Sequence, residues 1–212
     1  MVVTIFGATG MVGKQLITHS LARGWQVRAF GRQIDEFLDK DIEQDKLVAI
    51  KGYVFDAGDV KKALKGSDAV LSALGGSVEG TDHTRSLGMK NIVAQMEKYG
   101  PKRIVALGGL GVLESPDGSG PLFEQDSYPQ EFVAVAREHY GAYQHLKNSS
   151  LDWTFVCSPN ILDVEADGRF EAVAEAPAST WEVNAGNLAL FMTQAIEFGT
   201  FIKQRAGISN IP

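Results

Sequence analysis

The chain has 212 residues, 44% of them hydrophobic and 22% charged, a balance typical of ordinary globular proteins and foreign to disordered, collagen-like or membrane-embedded chains. Its 20 basic and 26 acidic residues leave a net charge of −6, so no broad cationic field exists for nucleic acid or an anionic lipid surface, and any phosphate must be held locally. The one cysteine, Cys157, excludes an intrachain disulfide and a thiolate metal cluster. Met1 opens no export leader and no apolar run nears the roughly 18–20 residues that cross a bilayer, so the expectation is a cytoplasmic protein with no membrane or nucleic-acid partner.

Residues 2–6 form a short β-branched apolar run stopped by Gly7, the pattern of a strand buried on both faces. Val12, Leu16, Ile17 and Leu21 then recur at helical spacing until Gly24, and 26–30 reads extended again. Strand 47–50, a short helix 60–64, strand 69–74 and helix 82–99 follow, then strand 103–107, helix 131–149 and strand 153–156. The tail from 158 is mixed, with a helix near 187–198.

This alternation implies the α/β class: a doubly wound parallel sheet with helices on both faces, and a small C-terminal region capping the substrate. Residues 1–212 are expected to form one domain. Two stretches break the rhythm, 114–129 and 158–180. Both leave the carboxyl ends of strands, where ligands bind in such sheets, and both are expected to wall the substrate pocket.

Gly7-Ala8-Thr9-Gly10-Met11-Val12-Gly13 lies between the first strand and the first helix. Glycines there allow a tight turn and close approach to a diphosphate, and the exposed amides and dipole of the helix start attract its charge. Gly7, Thr9, Gly10, Met11, Val12 and Gly13 are therefore candidate dinucleotide contacts, with tight strand–helix packing as the plain structural alternative. The second strand ends Arg28-Ala29-Phe30-Gly31-Arg32, without the carboxylate that holds an NAD ribose. Arg32 instead suits a 2′-phosphate or the adenine face, which makes NADPH (NADP+) the expected cofactor. Asp56 follows the third strand and is a candidate for the adenine amino group, or equally a helix cap. Ala73, Leu74 and Gly75 end the fourth strand beside the same crevice.

Together with Arg32, the glycine motif and the phrase Leu146-Lys147-Asn148-Ser149-Ser150-Leu151-Asp152-Trp153-Thr154 resemble the atypical short-chain dehydrogenase/reductase family, whose members carry an NAD(P)-binding Rossmann fold. The likeness spans nearly the whole chain. Within that family it is greatest to the biliverdin IXβ reductase/flavin reductase group, including the tail around Asn187-Leu188-Ala189-Leu190-Phe191-Met192; this group reduces flavins or linear tetrapyrroles with NADPH. Tyr143 and Lys147 repeat the common Tyr-x-x-x-Lys spacing, but counting back from Leu151-Asp152-Trp153 puts the family's pair at Val135 and His139. The group carries a histidine at the place of His139, and its pocket serine is replaced here near Gly108-Gly109. Ser158-Pro159-Asn160 stands where family members set backbone against the nicotinamide carboxamide.

His139 and Tyr143, four apart on one helix, are the candidate catalytic residues, the imidazole as a proton donor near neutrality. His83, His145 and Glu138 have no metal-ligand spacing, so no metal is expected. The leading functional expectation is an NADPH-dependent reductase of a planar small molecule: a flavin, quinone or linear tetrapyrrole. The alternative is a non-catalytic NADP(H)-binding sensor or assembly factor of the NmrA-like type, and nucleotide-sugar epimerisation ranks third. Monomer and dimer both stay open.

Overall fold

The computed structural model describes residues 1–34, 44–77, 79 and 81–211. Eight strands form one sheet in the order β3-β2-β1-β4-β5-β6-β10-β8. They are β1 (Val2–Phe6), β2 (Gln26–Gly31), β3 (Leu47–Lys51), β4 (Ala69–Ser72), β5 (Arg103–Gly109), β6 (Asp152–Ser158), β8 (Phe170–Ala174) and β10 (Gln204–Asn210). Every neighbouring pair is parallel except β10 with β8. A separate two-stranded parallel ladder joins β7 (Asn160–Leu162) to β9 (Glu182–Asn184).

The central strands are apolar on both sides because both faces are covered. Helices α1 (Met11–Ala22) and α5 (Ala185–Glu197) cover one face, burying Leu16, Ile17, Leu188 and Met192 against Val3, Ile5 and Val156. On the other face lie α2 (Ala57–Leu64), α3 (Thr84–Tyr99) and α4 (Gln130–Lys147), which bury Val60, Ile92, Met96 and Leu146 against Phe6, Val70 and Phe155. Each such large side chain contributes about 1.5–3 kcal/mol when withdrawn from water. Chain order runs outward from β1 to β3 on one side and from β4 to β6 on the other. The strand ends at this reversal open a crevice, which is where ligands sit in doubly wound sheets. Among the described residues no helix is long and apolar enough to cross a membrane.

The tail holds more strand than its sequence announces. β10 inserts between β6 and β8, and Arg205 within it is buried by ion pairing to Glu175 at 2.7 Å and Glu114 at 3.1 Å. The stretch 114–129, expected to wall the pocket, reaches the cavity only at its end. A bridge between Glu114 and Pro121, a 3-10 turn at Leu122–Glu124 and hydrogen bonds from Ser115 and Ser119 to Asp117 fold most of that stretch onto itself. Only Tyr128 and Pro129 of it line the cavity, and of 158–180 only Ser158, Pro159, Asn160 and Ile161 do so.

Candidate functional site

A cavity of about 890 Å³ runs along the carboxyl ends of the strands. Its middle is the turn between β1 and α1. Gly7 has φ +76°, and a Cβ there would stand 2.2 Å from the Ala73 carbonyl oxygen, so only glycine fits. A Cβ on Gly13 would lie 2.1 Å from the Gly7 oxygen; Gly13 is buried in packing and does not line the cavity. Gly7, Thr9, Gly10, Met11 and Val12 do line it. The N-cap Gly10 makes no side-chain capping bond and the first turn of α1 carries no acid. The first amides of the helix therefore lack an internal partner and meet no competing carboxylate, so this cradle fits a diphosphate.

At one end of the cavity stand Gly31, Arg32, Tyr53, Val54 and Phe55. Arg32, Tyr53 and Phe55 are exposed, and the Tyr53 amide donates to Asp59 Oδ2 at 2.9 Å, which braces this loop against α2. Asp56 is outside the wall: its Oδ1 accepts the Asp59 amide at 2.8 Å as the N-cap of α2. This is the helix-cap alternative of the sequence reading. Tyr53 and Phe55 are lining residues that sequence reasoning missed; the signal was a pair of aromatics directly after a strand end.

Ala73, Leu74, Gly75 and Gly76 pass beside the phosphate turn. Beyond them Arg85, in the first turn of α3, donates from Nη2 to the Gly76 carbonyl and from Nη1 to the Ser77 carbonyl, both at 3.0 Å. Asp82 accepts the amides of Ser77 at 3.0 Å and Thr84 at 2.7 Å, and the Thr84 hydroxyl, with these amides and the Arg85 charge, holds its carboxyl below the usual range. Nothing in the sequence patterning marked Asp82 or Arg85.

The far end is bounded by Gly108 and Gly109 at the end of β5 and Leu110 just after it, by Phe132, Val135 and His139 on α4, and by Ser158, Pro159 and Trp181. Ser158 Oγ donates to the Gly108 carbonyl at 3.0 Å, which joins the ends of β5 and β6. A Cβ on Gly109 would stand 3.1 Å from His139 Cδ2, so the imidazole fills the space over this glycine. His139 Nδ1 is buried and has no hydrogen-bond partner among the described residues. Burial, with the Arg85 charge close by, pushes the His139 pKa down to about 3. The ring is neutral near pH 7, which corrects its reading as an imidazolium acid.

Tyr143 is not in the cavity. Its ring packs 5.7 Å from Trp153 and 5.6 Å from Phe155, with the Arg205 guanidinium 5.1 Å from its centroid. Four residues beyond His139 is about 6 Å further along a helix, enough to move the phenol from the strand ends to the body of the sheet. The pairing with Lys147, whose Nζ lies 5.8 Å from the ring centroid, is a packing contact.

Solved structures of other proteins share the fold. A Burkholderia pseudomallei protein provisionally called exported is 30% identical, with a TM-score of 0.83 and 99% of each chain covered. Two more distant structures share the fold. One is a Streptococcus pneumoniae TIGR4 protein provisionally called an NADH-flavin reductase, 23% identical with a TM-score of 0.84 and 100% of both chains covered. The other is ChuY, an anaerobillin reductase of Escherichia coli O157:H7, 21% identical with a TM-score of 0.81, covering 99% of this chain and 97% of that one. The model of the NAD(P)H-binding family matches residues 7–198, from the first glycine of the phosphate turn to the end of α5, and the chain belongs to that family.

Proposed function

We propose that this protein is an NADPH-dependent reductase that passes hydride to a planar conjugated acceptor: a flavin, a quinone or a linear tetrapyrrole. The observation that carries the reading is the continuity of one cavity from the phosphate turn to an apolar slot walled by Tyr128, Phe132 and Trp181. The names of two structural neighbours, a flavin reductase and an anaerobillin reductase, support the same acceptor class. Gly7, Thr9, Gly10, Met11 and Val12 hold the diphosphate, with Arg32 on the 2′-phosphate and Ala73, Leu74 and Gly75 along the middle of the cofactor. The backbone at Ser158 and Pro159 orients the carboxamide. Bound NADPH supplies the hydride, while the protein positions the two reactants and keeps water out with Leu110, Val135 and Ala136. His139 acts as a neutral hydrogen-bonding group, and the final proton comes from solvent.

Mixing the protein with NADPH and, in turn, FMN, menadione and biliverdin tests this. Loss of NADPH absorbance with at least one acceptor is expected, and its absence with all three overturns the reading. One observation favours the non-catalytic alternative: Val135, at the family's tyrosine position, lines the cavity without a hydroxyl. NADPH binding without turnover selects that alternative.

A further inference from the structure

We propose that Arg85 is the group that receives the negative charge formed on the acceptor as it is reduced. This rests on the reductase reading above and adds to it a residue that touches the substrate. Arg85 is 9% exposed and lines the cavity. Its terminal nitrogens Nη1 and Nη2 each donate one of their two N–H groups, to the Ser77 and Gly76 carbonyls, while Nε is buried with no hydrogen-bond partner among the described residues. A buried donor left unpaired costs about 1–3 kcal/mol, so the Arg85 charge is incompletely compensated from within the protein and is available to a partner in the cavity that the side chain lines. A second orphan, His139 Nδ1, belongs to a side chain on the same cavity.

The two groups are held firmly. Glu138, next to His139, accepts from Ser86 Oγ at 2.7 Å and pairs with His83 Nδ1 at 2.8 Å. This clamp ties the start of α3, which carries Arg85, to α4. Among the described residues the other charged side chains on the cavity wall are Asp82, whose carboxylate accepts amides, and Arg32 at the opposite end. Arg85 is thus the cation that the described residues place at the acceptor end.

The chemistry needs such a cation. Hydride from the nicotinamide forms a new C–H or N–H bond at the electrophilic end of the acceptor, and NADPH becomes NADP+. The displaced π pair moves through the conjugated system to a carbonyl oxygen, which carries the charge until a solvent proton neutralises it. A fixed guanidinium beside that oxygen stabilises the transition state more than the neutral ground state.

Arg85→Gln and Arg85→Lys test the assignment with NADPH and FMN. Trp25 and Trp153 are 6% and 5% exposed and Trp181 is 74% exposed on the cavity wall, so quenching of Trp181 emission reads FMN binding to the NADP+-loaded protein directly. The expected result for R85Q is a kcat about 100-fold lower, from the loss of one charge-stabilising donor. NADPH affinity should stay within about threefold, and FMN affinity should fall by less than kcat, because oxidised FMN lacks the developing charge. R85K keeps a charge without the fork, so it should recover part of kcat; should R85Q not fold, a kcat lowered in R85K at unchanged NADPH affinity carries the test. Unchanged kcat in the folded variants, or a loss accounted for by weaker NADPH binding, overturns the assignment of Arg85 and leaves the reductase reading standing. Absence of turnover by the wild type overturns both.

Discussion

At the scale of single residues the cavity contrasts an exposed cation with a packed neutral ring. Arg32 is exposed at the end bounded by Tyr53 and Phe55, and a guanidinium that forks onto a 2′-phosphate contributes about 1.5–3 kcal/mol. Arg32→Ala should therefore weaken NADPH binding about 10- to 100-fold and NADH binding less than about threefold, measured by titration calorimetry. Equal losses for both coenzymes would remove Arg32 from the phosphate site. His139 makes a pH prediction. Its folded pKa of about 3 lies below the ordinary value of 6.5, so between those values the unfolded chain takes up a proton that the folded one does not. Its stability contribution is complete above pH 6.5 and is lost as pH falls toward 3, at up to about 1.4 kcal/mol per pH unit. The wild type should lose Tm faster than His139→Gln over that window, whereas kcat at pH 6–8 should not follow a histidine titration. Parallel Tm curves would show that the ring is not shielded as described. The glycine turn was legible because its geometry is local. The orphan nitrogens of Arg85 and His139 were not, because they arise only when α3 and α4 meet.

At the scale of elements the alternation of apolar strands and amphipathic helices was enough to place β1 to β6 and their helices, with ends off by up to three residues. The strand β10 escaped because Gln-Arg-Ala-Gly-Ile-Ser-Asn contains no continuous apolar run; it is an inner strand only through tertiary compensation. Arg205 supplies that compensation. Its amide and Nε both bond Glu175 at 2.7 Å, and Nη1 donates to the Val112 carbonyl at 2.8 Å and to Glu114 at 3.1 Å. One side chain thus ties β10 to the turn after β8 and the 3-10 segment after β5. Arg205→Met should cost about 1–3 kcal/mol in urea unfolding: the two glutamates are half-exposed and regain water, which keeps the loss below that of a fully buried broken pair. The Val112 carbonyl has no such relief. A loss under about 0.5 kcal/mol would mean that β10 is held by backbone pairing alone.

At the scale of the whole molecule the two cores are separated by one sheet, and access to the sheet interior requires strands to part. Cys157 reports this directly. It lies in β6 between β5 and β10, fully buried in the core beneath α4, and burial pushes its thiol well above the usual range despite the nearby Arg205 charge. A thiol of this kind reacts only from opened states, because both access and thiolate formation are denied in the closed one. Labelling by a water-soluble disulfide reagent should therefore be slow in the folded protein and rise with urea in step with unfolding. NADPH spans the ends of strands on both sides of the β1/β4 reversal under the proposed reading, so it binds the closed sheet and not the parted one. At 100 times its Kd it should slow Cys157 labelling about 100-fold when reclosing outpaces reaction. Rapid labelling that ignores NADPH would locate the opening in β6 and β10 alone, and would show that the inserted tail separates from the sheet without disturbing the phosphate turn.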